Sequence, residues 1–302
     1  MSVIKLNNHK IELRNEEKIF FPKNKITKGD LIKYYKEISP VMLPYLKDRA
    51  ISMQRFPSGI KGISFYEKDA PGYFPKWIKT VNVKRKTNGS YNCVVCQNAA
   101  TLVYIANQGC ITPHIWLSTI KKLNYPDKII FDLDLEKATP TNFKLACQTA
   151  KALKEIIESI GLSAYVMTTG SKGLHVCIPI KIEYTFDKIR AFAKQIALKA
   201  IEKNPDKLTL ESRKEKRKNK LLIDIMRNGF GATSVTPYAI RPIEGAPVAT
   251  PLEWKELDKK NLSSQTYTIK NIFNRLSKTG DAWKLLPKNR KSLNLALKKI
   301  QG

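Results

Sequence analysis

The chain has 302 residues, 42% of them hydrophobic, and carries 54 Lys and Arg against 26 Asp and Glu, a formal charge of +28. The apolar share supports a real core and excludes global disorder. The basic excess opposes compaction by self-repulsion and favours a polyanionic partner; nucleic acid comes before an anionic membrane, since no strongly basic amphipathic helix dominates. The N-terminal residues lack the apolar run of a signal peptide, and no stretch approaches the roughly 20 apolar residues that span a bilayer. Five cysteines fit a reducing compartment better than a disulfide framework. A soluble, cytoplasmic, nucleoid-associated chain with no membrane partner is therefore expected.

In chain order, Thr27-Lys28-Gly29-Asp30 predicts a capping box for a helix carrying Leu31, Ile32, Tyr34, Tyr35 and Ile38, which Pro40 and Pro44 are expected to break or restart. Short strands are predicted over 50–56 and 62–67 around a Pro57-Ser58-Gly59 turn, then over 91–95, followed by a helix over 99–107 stopped by Gly109. Ile- and Phe-rich 128–133 reads as a strand, and 141–160 as a long amphipathic helix with Gly161 as its C-cap. A strand (164–168), a tight Gly170-Ser171-Lys172-Gly173 turn and a returning strand (174–180) follow. After a second helix (186–203), the basic run 213–220 leads into a strand over 221–226. The tail from Thr250 is expected to be helical, opened by Thr250-Pro251 and Glu253. Strand, helix, hairpin, helix, strand gives an α/β sandwich with helices on one sheet face.

The strongest chemical signal is Phe131-Asp132-Leu133-Asp134. Alternation along a strand sends Asp132 and Asp134 to one side while Phe131 and Leu133 enter the core. Two adjacent carboxylates repel unless a cation lies between them, and hard ions such as Mg²⁺ or Mn²⁺ take oxygen ligands. Asp224 sits in an otherwise apolar strand, where an unpaired charge is costly. If the two strands are neighbours, three acids converge in a manner suited to two-metal nucleotidyl transfer; the bland alternative is acids that cap strand ends or pair with surface lysines. Thr169 to Gly173 offers backbone amides, a hydroxyl and an ammonium in one short loop, which suits phosphate, although it lacks Walker spacing and a plain hairpin fits equally. His175 either faces the same site or simply sits in its strand.

Taken together, these segments resemble the polymerase domain of bacterial ligase D, an end-joining member of the archaeo-eukaryotic primase superfamily. The resemblance runs over about residues 12–265. It is carried by Lys18-Ile19-Phe20-Phe21-Pro22, the Thr27 box, Tyr34-Tyr35, Arg55-Phe56-Pro57 through Ser64-Phe65-Tyr66-Glu67-Lys68, and Phe131-Asp132-Leu133-Asp134. Gly170 to His175, Asp224, Pro237-Tyr238-Ala239-Ile240-Arg241 and Val248-Ala249-Thr250-Pro251-Leu252 complete it. The family implies a mixed α/β (α+β) primase-type fold, with mixed or antiparallel sheets flanked by helices and an RRM-like catalytic half. A single primase-polymerase domain over 1–302 is expected, comprising an N-terminal subdomain (1–120) with DNA-end contacts, a catalytic subdomain (121–260) and a helical tail (261–302).

The same resemblance implies that Asp132, Asp134 and Asp224 bind two divalent cations, Mn²⁺ or Mg²⁺. It makes His114, Ser171, Lys172, His175 and Arg241 contacts to a nucleoside triphosphate, with a leaning toward ribonucleotides. Lys18 and Lys28 would hold the 5′-phosphate of a DNA gap or break; Phe65 and Tyr66 would stack on a template base, and Arg55 falls in the same DNA-contacting group. Gapped DNA or DNA ends, Ku and a separate ATP-dependent DNA ligase are the implied partners, since no K-x-D-G ligase motif occurs here. Two departures stand out: Leu135 follows the D-x-D where the family has proline, and Thr112 replaces a glutamate near His114.

Several residues keep other readings. Cys93-x-x-Cys96, Cys110 and His114 have zinc-like spacing, but strand positions three apart face opposite ways, which favours buried, reduced thiols. Lys18, Lys28 and the 213–220 run would be ordinary solvated charge in so basic a chain, the run alternatively trailing along a DNA backbone. Phe65 and Tyr66 have a core reading, and, adjacent in a strand, at most one of them would stack fully. A stand-alone primase, starting chains without a primer, and a non-catalytic DNA-binding module are the rival functions; binding DNA gains nothing from converging negative charge.

Overall fold

In the computed structural model, residues 2–85, 88–137 and 139–301 are described. They divide into unit 1 (Met1–Trp116, Val235–Ala249 and Thr268–Phe273) and unit 2 (Leu117–Ser234, Thr250–Tyr267 and Asn274–Gly302).

Unit 1 opens with the hairpin β1 (Ser2–Leu6) and β2 (His9–Leu13), then the short pair β3 (Ile19–Phe21) and β4 (Ile26–Thr27). Thr27 caps α1 (Lys28–Leu46): its hydroxyl accepts from Asp30 N–H at 3.1 Å, and the Asp30 carboxylate accepts from Thr27 N–H at 2.8 Å. The sequence signal was sound here, but α1 runs straight through Pro40 and Pro44 instead of breaking. Each proline removes an amide donor; burial of Leu31, Tyr35, Ile38, Met42 and Leu46 along one face offsets that loss. Tyr35 fixes the helix further, donating to Ile111 O at 2.5 Å and accepting from Ile240 N–H at 3.1 Å.

Next come β5 (Ala50–Arg55), β6 (Phe65–Glu67), β7 (Thr80–Lys84), β8 (Ser90–Val95), α2 (Ala99–Asn107) and β9 (Cys110–Trp116). Their sheet runs β9-β5-β8-β7, with β6 also paired to β5. All these pairings are antiparallel.

Unit 2 contains β10 (Lys128–Asp134), α3 (Pro140–Ser159), β11 (Tyr165–Thr168), β12 (Leu174–Pro179), α4 (Phe186–Glu202), β13 (Leu208–Thr209) and β14 (Leu221–Asp224). The chain then passes through β15 (Thr233–Val235) and returns as β16 (Thr250–Leu252), with α5 (Ile272–Thr279) and α6 (Asn294–Gln301) toward the end. The described residues of unit 2 form a six-stranded sheet ordered β13-β14-β10-β12-β11-β16, parallel only between β13 and β14. Its centre, β14-β10-β12-β11, is a split βαβ arrangement: numbered along the chain, the strands lie 4-1-3-2 with α3 and α4 as crossovers. This is the RRM-like half that the resemblance implied. Alternation turns Phe131 and Leu133, both fully buried, toward the helices and leaves the acids of β10 on the other face.

The segment after Asp224 departs from the expected strand, turning at once into a 3₁₀ turn over Met226–Asn228. The tail from Thr250 begins as strand, not helix, because Thr250 to Leu252 pair with Thr168 to Val166 on β11. The capping box lies three residues later, between Glu253 and Glu256, on a 3₁₀ turn.

Glu256 is buried with Arg275, whose Nη2 lies 2.6 Å from its carboxylate, and it also accepts from Tyr267 OH at 2.8 Å and Glu253 N–H at 2.9 Å. Burial pushes its pKa up, but Arg275, the Glu253 amide and Tyr267 outweigh that and hold it at about 2 instead of 4.5. A depressed acid stabilises the fold fully above its unfolded pKa and loses that stabilisation as pH falls through the folded one. Glu256 therefore contributes about 3 kcal/mol above pH ~4.5 that is lost toward pH ~2. Thermal melts across that window are expected to fall more steeply for the wild type than for Glu256→Gln; parallel curves would contradict this.

Candidate active site

Three strands of unit 2 contribute one residue each to a row across the sheet. Asp224 on β14 lies opposite Asp132 on β10, and Asp132 lies opposite His175 on β12. Directly opposed residues of this kind have Cβ atoms about 4.5–5.5 Å apart. Asp134, two residues along β10, shares the face. The hairpin turn carrying Ser171 and Lys172 closes beside it: a Cβ built on Gly173 would lie 1.9 Å from Leu133 O, so only glycine lets the turn pack against the end of β10. Asn228 ties the turn after β14 to β10, donating to Ile130 O at 2.7 Å and accepting from Ile130 N–H at 2.9 Å.

The acids are held by positive or donor groups. Asp132 lies 3.5 Å from His175 Nε2 and accepts from Arg227 Nε at 3.3 Å. Asp134 accepts from Arg217 Nη1 at 3.1 Å, and Asp224 from Met226 N–H at 2.7 Å. Burial raises the Asp132 carboxyl, but His175 and Arg227 more than cancel it and hold the pKa at about 2. Asp224 goes the other way: burial, together with the charges of Asp132 and Asp134, lifts it above the usual range despite the Met226 amide. A carboxylate strained in this direction favours an added cation. The donor set is all carboxylate oxygen on one face, which fits a hard divalent ion. Among the described residues, no three His, Cys, Asp or Glu side chains could hold an ion in the arrangement shown. The carboxylates of Asp132 and Asp134 are turned onto the two guanidinium groups, which supply the positive charge there.

Sequence reasoning missed both arginines. Arg217 belongs to the basic run read as solvated loop, yet its side chain is 5% exposed, anchored by Nε to Glu211 O (3.1 Å) and Nη2 to Ser212 O (2.8 Å). Arg227 lies three residues past Asp224. The available signal was the acid row itself, which needs nearby counter-charge. His175 faces the acids and its Nδ1 lies 3.4 Å from Ser234 Oγ. The 169–173 turn differs from the expected amide cradle: Thr169 Oγ1 already accepts from Ser171 N–H (3.3 Å) and Gly173 N–H (3.2 Å). What the turn offers is side chains, with Lys172 exposed and within 3.3 Å of Glu136 O.

The remaining residues lie in unit 1. Arg55 is buried, bonds Gln108 O through Nε (2.9 Å) and Glu67 through Nη1 (2.5 Å), and sits 5.6 Å from the Phe65 ring centroid. Phe65 and Tyr66 on β6 are both exposed, at 41% and 56%; Tyr66 also meets the buried His114 ring edge-on at 5.4 Å. Arg241 is half-buried, its N–H bonded to Pro247 O at 2.7 Å, and the neighbouring Ile240 O accepts from Thr112 Oγ1 at 2.6 Å. Lys28 N–H donates to Lys18 O at 2.8 Å, bringing the two lysines together. Burial first, then the Lys18 charge, lowers the Lys28 pKa. Lys28 lines a cavity of about 580 Å³ together with Arg14, Asn15, Tyr104 and Asn107. Cys93, Cys96 and Cys110 are buried free thiols; burial pushes Cys93 and Cys96 up to about 12.

This sheet order, with acids and a histidine in one row, defines a mixed α/β chain of the archaeo-eukaryotic primase type. Residues 27–283 match the LigD primase-polymerase domain, and the chain belongs to that family. It is 34% identical over 272 residues to the bifunctional non-homologous end joining protein LigD of Bacillus subtilis, covering 90% of this chain and 43% of that protein. The multifunctional LigD of Pseudomonas aeruginosa is 25% identical over 294 residues, 97% of this chain and 34% of its own. The chain thus spans less than half the length of these relatives. The polymerase domain of Mycobacterium tuberculosis Ligase D, solved in complex with DNA, is similar with a TM-score of 0.84 and 26% identity over 93% of this chain and 99% of that one. No helix of the described residues is long and apolar enough to cross a membrane.

Proposed function

We propose that this chain is a template-dependent nucleotidyltransferase that fills gaps and extends DNA ends in non-homologous end joining. The observation that carries this reading is the strand register setting Asp132 against Asp224, with Asp134 on the same face. Asp132, Asp134 and Asp224 would hold two divalent cations, Mn²⁺ or Mg²⁺, whose charge favours the ionised primer 3′-hydroxyl and offsets charge on the departing pyrophosphate. In the reaction the 3′-oxygen attacks the α-phosphate of a nucleoside triphosphate, the bond to pyrophosphate breaks, and the hydroxyl proton leaves to solvent. His175, in the acid row, and Ser171 and Lys172 on the adjoining turn are the proposed triphosphate ligands of unit 2, acting through charge-assisted hydrogen bonds. For His114 and Arg241 of unit 1 the same role rests on the family likeness alone.

Phe65 and Tyr66 are both exposed, but as neighbours on one strand they face opposite ways, so one of the two is the proposed stacking ring for a template base. Arg55 lies 5.6 Å from the Phe65 ring centroid. Lys18 and Lys28, joined through Lys28 N–H to Lys18 O, are the proposed 5′-phosphate ligands on the family likeness; their ammonium groups donate to Pro57 O at 3.0 Å and Arg14 O at 2.5 Å. Unit 1 then supplies the DNA-end contacts and unit 2 the chemistry. Ku and a separate ATP-dependent DNA ligase are proposed partners on the family likeness.

Primer extension on gapped DNA tests the reading. A 5′-phosphate across the gap is expected to raise extension about tenfold over a 5′-hydroxyl, and Lys28→Ala to erase the difference. Equal extension from both ends by the wild type would overturn the end-joining assignment.

A further inference from the structure

Unit 2 carries a second basic concavity, which reaches the hairpin turn beside the acid row at one end. α3 presents Lys144, Gln148 and Lys151 at helical spacing along one face, opposite the segment 257–265 with Lys259 and Lys260. Between them lies a cavity of about 620 Å³. A second cavity of about 410 Å³ shares Pro140, Phe143, Lys260 and Leu262 with the first and continues to Ser171 and Lys172 on the hairpin turn. The two form one trough along about three helical turns, from Pro140 to Lys151, roughly 16 Å at 1.5 Å per residue. Asp258 is the sole acid lining it among the described residues, and it is bound to Lys151. Lys259 pairs with the buried Glu256 at 3.2 Å, whereas Lys144, Lys172 and Lys260 line the trough as exposed side chains.

We infer that this trough binds the sugar–phosphate backbone of single-stranded nucleic acid, the unpaired extension of a DNA end; naming that strand rests on the polymerase reading above. The charge is complementary to a polyanion, and the length exceeds what a pyrophosphate or a single nucleotide fills. The aromatic side chain at its base, Phe143, is only 6% exposed, so no ring is offered for base stacking. The grip falls on phosphates: affinity is salt-dependent and indifferent to sequence.

The test is fluorescence anisotropy of the full chain with a labelled oligothymidylate and with a mixed-sequence oligonucleotide of equal length. Lys144→Glu with Lys260→Glu is expected to weaken both about tenfold and to reduce the slope of log K against log salt by about 1.4, from two phosphate contacts at ~0.7 each. Lys188→Glu with Lys194→Glu, exposed on α4, changes net charge equally and is expected to shift affinity less than about twofold. Equal weakening by both pairs, or by neither, overturns the proposal. So does loss of affinity for inorganic pyrophosphate without loss for the oligonucleotide, which would mark a product path. If the reversed pair fails to fold, Lys144→Ala with Lys260→Ala carries the test, with about threefold weakening expected and unchanged binding contradicting it. Extension of a gapped duplex without an overhang is measured alongside and is expected to be unchanged. If the wild type fails to extend it, the polymerase reading fails while the binding result still decides the trough.

Discussion

Asp134→Ala is expected to lower nucleotide incorporation by about a thousandfold or more while leaving the fold and DNA affinity intact. Asp134 shares the face of Asp132 and Asp224, and its loss removes a third of the negative charge that would gather the cations. The fold tolerates the change because Arg217, its partner, keeps the carbonyls of Glu211 and Ser212. Affinity for DNA should hold or improve, since a negative charge has left a basic protein. Steady-state incorporation, melting temperature and gapped-DNA binding measured on one preparation separate the effects. Near wild-type incorporation by a folded variant would remove Asp134 from the chemistry.

Gly173→Ala is expected to be the most damaging single-methyl change in unit 2. Its Cβ would stand 1.9 Å from Leu133 O, a backbone atom that cannot swing aside. Relief requires the hairpin turn or the end of β10 to move. The turn is held by Thr169 N–H to Gly173 O at 3.0 Å and by Ser264 Oγ to the same oxygen at 2.9 Å, so those bonds are strained together. A cost of roughly 3 kcal/mol follows, lowering Tm by about 5–10 °C. Because Ser171 and Lys172 ride on the turn and Asp134 ends β10, KM for the nucleotide should rise and kcat fall together. Gly161→Ala is a useful contrast: the added Cβ meets nothing within 4 Å, and only the positive φ of +85° opposes it. A Gly173→Ala protein as stable as the wild type would show that the turn does not press on β10.

The central sheet was legible because its signals are local. Ile129 to Leu133, the α3 amphipathic stripe and the Gly170–Gly173 turn each carry their own periodicity or turn chemistry, enough for a sheet with helices on one face. The split βαβ order was implied only by the family resemblance. The acid pair on β10 was legible from alternation alone. Its meeting with Asp224 was not, since strand order is a tertiary outcome. The errors fell where distant packing overrides local preference. Pro40 and Pro44 read as breakers, but the apolar face of α1 holds the helix through them. Thr250-Pro251 read as a helix start, but the open edge of β11 captured it as a strand. Arg217 looked like one more lysine-rich loop residue until the fold buried it against Asp134. The turn's amides looked free until Thr169 Oγ1 took two of them.

The proposed chemistry needs three acids to share divalent cations, and electron paramagnetic resonance of Mn²⁺ titrated into the nucleotide-bound protein reads this without turnover. The wild type is expected to bind about two ions per chain, and the Asp134→Ala protein to lose at least one of them or bind both far more weakly. Undiminished Mn²⁺ binding by a folded Asp134→Ala protein would contradict the account.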